Sequence, residues 1–208
     1  MVMKTIMLGA VFLISCAAPA LKNQSAAPVT RTNNPPPADT EWRWKSEAAK
    51  EISERARAAN LPDLGKVRLP KDDLEVRVWH GFSIFLLEGF VLRRYAGQWA
   101  AIHPGGYCKR RPRSKHRINL EAPKSGWEDC WKKLGDAGLL TLLDASQLGE
   151  EPIDPDVLSY VVECNIGGDY RTYHYTNPGR NNREEARRMV RIGEIISEEF
   201  ELPTLKPK

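Results

Sequence analysis

Leu74, Val76 and Val78 alternate with Glu75, Arg77 and Trp79, and this period of two predicts a strand. A second strand signal covers Phe90 to Tyr95. Ala96 and Gly97 then form a tight turn into Gln98 to His103, which predicts a hairpin closed by Pro104, Gly105 and Gly106. From Gly126 the period changes: Trp127, Cys130, Trp131 and Leu134 fall at i, i+3, i+4 and i+7, an amphipathic helix with Ser125 available as its cap. That helix stops near Gly138, and Leu139 to Leu143 form an apolar run that can pack under a sheet. The hairpin from Tyr160 to Tyr175 has Gly167 and Gly168 at its turn, where both positions need positive φ. Counting outward pairs Ile166 with Asp169, Cys164 with Arg171, Val162 with Tyr173 and Tyr160 with Tyr175. One face of this hairpin is then largely apolar. The other carries Val161, Glu163, Asn165, Tyr170, Thr172 and His174, and is expected to meet water or a partner. Asn181 or Asn182 can cap a last helix ending near Phe200, with Met189, Ile192, Ile196 and Phe200 on its buried stripe.

Upstream, Asp39 or Thr40 can cap a helix with its body from about Trp44 to Ala59, whose apolar stripe is only Ala48, Ile52 and Ala56. It is expected to dock loosely or to act as a semi-rigid arm. Pro62, Gly65 and Pro70 separate it from the first strand. Hairpin, helix, hairpin, helix after a helical arm predicts an α+β fold: an antiparallel sheet from two hairpins with helices packed on one face. The expected divisions are residues 1–15 as signal peptide, 16–38 as tether, 39–71 as helical arm and linker, and 72–208 as the α+β domain.

The chain has 208 residues, 41% hydrophobic and 28% charged, with a formal charge of +4, the profile of a globular protein. Its one long apolar run, Thr5 to Ile14, is too short to span roughly 30 Å of hydrocarbon, which excludes a multi-span membrane protein and reads as a secretory signal. The run ends in Leu13, Ile14, Ser15 and Cys16, which resembles the lipobox of bacterial lipoproteins. The resemblance implies removal of residues 1–15, acylation of Cys16, and a protein held to a membrane by lipid. The alternatives are an ordinary signal peptide cleaved near Ala18 or Ala20 and a cytosolic N-terminus. Ala17 after the lipid-bearing Cys, where the Gram-negative sorting pattern would use Asp for inner-membrane retention, implies the outer membrane if the host has one. Ala17 to Ala38, with Pro35, Pro36 and Pro37 in a row and only Lys22 and Arg31 charged, cannot build a core. As a tether it spans about 26 Å as coil or about 70 Å as polyproline helix.

Trp127, Trp131, Leu134, Ala137, Gly138, Leu139, Leu140 and Leu143, followed by a Tyr-led hairpin and a C-terminal helix, resemble in layout small bacterial envelope domains of unknown function. More faintly they resemble the emfourin-type inhibitors of thermolysin-like metalloproteases. The likeness spans roughly residues 74–200 and implies a non-catalytic binding domain, in its narrower form a protease inhibitor.

The candidate chemistry agrees with a binder. His80, His103, His116 and His174 show no metal-ligand spacing, so neither metal nor cofactor is expected. Gly-x-Ser-x-Gly is absent from the sequence. An envelope hydrolase is the competing class, and it would need a His or carboxyl group with a perturbed pKa in a cleft. With Cys16 lipidated, Cys108, Cys130 and Cys164 remain. A bridge between Cys108 and Cys130 is expected, contributing about 3 kcal/mol, with Cys130–Cys164 or no bridge as alternatives. Six of the nine residues from 109 to 117 are basic: Lys109, Arg110, Arg111, Arg113, Lys115 and Arg117. They form a patch suited to an anionic envelope polymer or lipid headgroup, or simply a solvated loop. Nucleic acid is not expected as a partner; an envelope protein is.

Overall fold

The computed structural model describes residues 39–82, 87–105, 117–149 and 158–202. Among the described residues, six strands form one antiparallel sheet: β1 (Leu74–Gly81), β2 (Glu88–Tyr95), β3 (Gln98–His103), β4 (Ile118–Leu120), β5 (Ser159–Ile166) and β6 (Asp169–Thr176). Their spatial order is β4-β3-β2-β1-β5-β6. In the same residues three α-helices accompany them: α1 (Asp39–Ala58), α2 (Trp127–Asp136) and α3 (Glu184–Phe200). The fold is α+β. The second hairpin has the register counted from its turn, Ile166 opposite Asp169 through Tyr160 opposite Tyr175, and the first turns at Ala96 and Gly97 with Tyr95 opposite Gln98.

Alternation sorts the sheet into two faces. Val76, Val78, Phe90, Leu92, Tyr160, Val162, Tyr173 and Tyr175 face α2 and α3, whose Cys130, Leu134, Met189, Ile192 and Ile196 complete the main core. At one corner of that core the Trp99 and Trp127 indoles stack nearly parallel, and Trp127 also meets Phe200.

On the second face Tyr170 and Thr172 are exposed, as the hairpin pattern implies, but the neighbouring part is roofed by α1, whose thin stripe of Ala48, Ile52 and Ala56 packs with Ala59 and Leu61 against Trp79, Val91, Ile102 and Val161. This shared cluster makes the arm part of the folded body. Arg55 of α1, 2% exposed, donates from Nε to the Gly105 carbonyl at 2.9 Å and from a terminal nitrogen to that of Pro104. Under the linker, Asn165 donates to the carbonyls of Leu64 and Val67 at 3.1 and 2.9 Å.

Two helix starts also differ from the sequence pattern. Ser125 makes no cap. Its backbone N–H and hydroxyl both donate to Glu199 of α3, at 2.9 and 3.0 Å, and Lys133 Nζ reaches the same carboxylate at 2.6 Å. At α3 the capping position is Arg183, whose N–H donates to Asn181 at 3.0 Å. Burial pushes the Glu199 carboxyl up, but Lys133 and the two bonds from Ser125 outweigh it and hold it below its ordinary value. A depressed folded pKa stabilises above the unfolded value of about 4.3 and loses that contribution as pH falls through the folded pKa. Glu199→Gln should therefore cost about 1–2 kcal/mol at pH 7, a difference that vanishes in acid. Urea melts at pH 7 and pH 3 check this, and an equal cost at both would contradict it.

Candidate functional site

β6 builds the site by holding the segment after α2. Tyr173 and Tyr175 donate their hydroxyls to the carbonyls of Leu139 and Leu143, each at 2.8 Å, and Arg171 donates to those of Leu140 and Leu142. Leu139 and Leu142 are buried under the sheet as the apolar run implies, while Leu143 is 45% exposed. This packing delivers Asp144 to the outer face of β6. There Asp144 Oδ2 accepts from the His174 backbone N–H at 3.1 Å and lies 2.9 Å from its Nδ1. Asp144 also opens the 3-10 turn Ala145–Leu148 with a reciprocal capping box to Gln147.

On the neighbouring strand, Glu163 is 7% exposed. Its Oε2 accepts from the Trp79 indole at 2.7 Å and its Oε1 from the Tyr170 hydroxyl at 3.1 Å. Burial holds the Glu163 carboxyl above the ordinary carboxylate range, because the opposing pull of Arg77 and of the two bonds is smaller. Burial and the adjacent Glu163 likewise push the Tyr170 phenol up.

These groups line one cleft of about 610 Å³ between α1 and the outer face of β5 and β6, within the range of small-ligand sites. Ala48, Ala49, Ile52 and Ser53 form its helical wall. Val161, Glu163, Tyr170, Thr172 and His174 form its floor, and Asp63 with Asp144, Ser146 and Gln147 closes the ends. Among the described residues, no Lys or Arg lines it. Such a cleft can bind a small ligand, and its acceptor-rich floor can hold one that carries hydrogen-bond donors.

The residues singled out from sequence fall mostly elsewhere. Cys16, Cys108, Lys109, Arg110, Arg111, Arg113, Lys115 and His116 lie outside the described residues, and Arg117 is half-buried just before β4. Cys130 and Cys164 are free, buried thiols with no bridge between them, while the expected Cys108–Cys130 bridge falls on a residue outside those described. Each points into the main core, where burial pushes it up to about 12. The histidines go to separate partners: His80 lies against the Tyr160 ring, His103 pairs with Glu88 at 3.0 Å, and His174 with Asp144. Among the described residues, no group of three or more His, Cys, Asp or Glu is placed to hold a metal ion, and no helix is long and apolar enough to cross a membrane.

The hairpin pattern had put Glu163, Thr172 and His174 on one face. Asp63, Asp144 and the α1 wall had no local signal, since their role comes from packing. No protein-family model matches the chain, and no curated protein matches it.

Proposed function

We propose that this protein is a lipid-anchored component of the bacterial cell envelope, attached through Cys16, that binds a ligand without transforming it. Its α+β domain faces the periplasm or the exterior, on the outer membrane where the host has one. The observation that carries the binding reading is the cleft of about 610 Å³ between α1 and the outer face of β5 and β6, with buried polar groups on its floor. The basic run from Lys109 to Arg117 adds a second contact suited to an anionic envelope polymer. Inhibition of a secreted metalloprotease is a narrower form of the same reading, resting on the apolar spacing from Trp127 to Leu143.

Hydrolysis is the second reading, favoured by one specific observation. His174, oriented by Asp144, lines the same cleft as Glu163, whose carboxyl is held high by burial; paired groups of this kind serve acid–base chemistry in other sites.

One experiment separates these readings. Full-length chain should fractionate with membranes and its Cys16→Ser variant should not. The chain from residue 16 carrying Cys16→Ser is then immobilised, exposed to detergent-solubilised envelope extract at low and high salt, and the retained material identified by mass spectrometry. Ala49→Trp, which fills the cleft from an exposed helical position, is the control. Material held by the parent and lost from Ala49→Trp supports cleft binding. Material kept by Ala49→Trp but released by salt belongs to the basic run, and recovery of cleaved material transfers the conclusion to a hydrolase. A folded chain that retains nothing refutes the proposal.

A further inference from the structure

Glu163 is a buried carboxylate whose oxygens meet only neutral donors, the Trp79 indole and the Tyr170 hydroxyl. Those two bonds occupy half of its roughly four acceptor positions. Arg77 stands directly opposite on β1 and its charge attracts Glu163 across the strands, but its hydrogen bonds and its ion pair go to other groups. Its Nε and one terminal nitrogen pair with Glu75 at 2.7 and 2.6 Å, and the other donates to the Pro62 carbonyl at 2.9 Å. Among the described residues no Lys, Arg or His forms an ion pair with Glu163. Buried charges are ordinarily paired, because desolvation otherwise costs more than neutral hydrogen bonds return. Glu163 also lines the cleft, where no Lys or Arg of the described residues meets it.

The rest of the cleft narrows what could supply a countercharge there. Its helical wall near Glu163 is apolar, formed by Ala48, Ala49 and Ile52, and none of the described residues lining it is a Lys or Arg that would repel a cation. Resting on the binding reading, we infer that the cleft takes a primary ammonium on an apolar stem, with the ammonium on Glu163 and the stem along α1. Both a small alkylamine and a lysine side chain of another protein have this chemistry.

The test uses the chain from residue 16 carrying Cys16→Ser, titrated with n-butylammonium, Nα-acetyl-lysine methylamide, n-butanol and butyrate while amide NMR shifts are followed. Both ammonium probes should shift the amides of Val161, Glu163 and Thr172 saturably, with butanol about tenfold weaker and butyrate weaker still, since a charge-assisted bond to a desolvated carboxylate is the discriminating contact. Tighter binding of the lysine probe than of butylammonium points to a protein source, and the reverse to a free amine. Glu163→Gln keeps an acceptor for Trp79 and should weaken both ammonium probes about tenfold while leaving butanol unchanged. Butanol equal to butylammonium, or full ammonium binding by a folded Glu163→Gln chain, overturns the inference and leaves the cleft as a ligand seat. If none of the four probes moves those amides, the cleft reading falls with it.

Discussion

Arg55→Ala is expected to lower the unfolding free energy by about 3 kcal/mol and to free α1 from the sheet before the rest unfolds. Arg55 is a charged side chain of α1 buried to 2% exposure, and it answers two backbone carbonyls just beyond the end of β3. Burial lowers its pKa, and the attraction of Glu88 offsets this in part. Removing it leaves the carbonyls of Pro104 and Gly105 without this donor and Glu88 with His103 as its neighbour. Among the described residues, the other buried side chains docking α1 are the small Ala48 and Ala56 with Ile52, continued by Ala59 and Leu61 just after the helix. Urea denaturation gives the global cost, and amide exchange along residues 47–58 gives the local one. A cost under about 0.5 kcal/mol, the level of an ordinary surface change, would show that the apolar stripe alone docks the helix.

The second large effect is expected at Gly89. A Cβ there would stand 2.6 Å from the Trp79 ring and 2.6 Å from the Pro104 ring, distances that real side chains do not reach. Gly89 pairs with Trp79 across β1 and β2, and its missing side chain is the space the indole occupies. Gly89→Val must move Trp79, break its bond to Glu163, or spread the two strands. Overpacking of this kind costs about 1–3 kcal/mol, which at roughly 2–4 °C per kcal/mol lowers Tm by several degrees. Thermal melts by circular dichroism measure it, and an unchanged Tm would mean that the indole has another seat.

The elements that could be read from sequence are those whose signal is local. Gly167 and Gly168 fixed the register of β5 and β6 because only one pairing puts both at the turn. The apolar stripes of α2 and α3 are wide enough to show their periodicity. β4 escaped notice because it has three residues and lies directly after the basic run, and α1 looked peripheral because alanine carries little hydrophobic signal. The cleft was legible only in its floor. Glu163, Thr172 and His174 share one face of the hairpin, whereas Asp63, Asp144, Ala49 and Ile52 reach it from three other stretches of chain through tertiary packing.

The strand order carries a consequence for how the chain reaches this state. β1 is the first strand to be made, yet it sits inside the sheet between β2 and β5, with Leu74 opposite Ile166. Strands β1 to β4 can assemble as a meander soon after they are synthesised, but the other edge of β1, all eight of its residues buried in the end, stays open until β5 arrives. Closing a contact across some ninety residues of intervening chain is slow and leaves an unpaired apolar edge in the meantime. Completion of this sheet is therefore a late event that waits for the C-terminal hairpin, and truncation anywhere before β5 leaves a half-sheet prone to pair with its own copies.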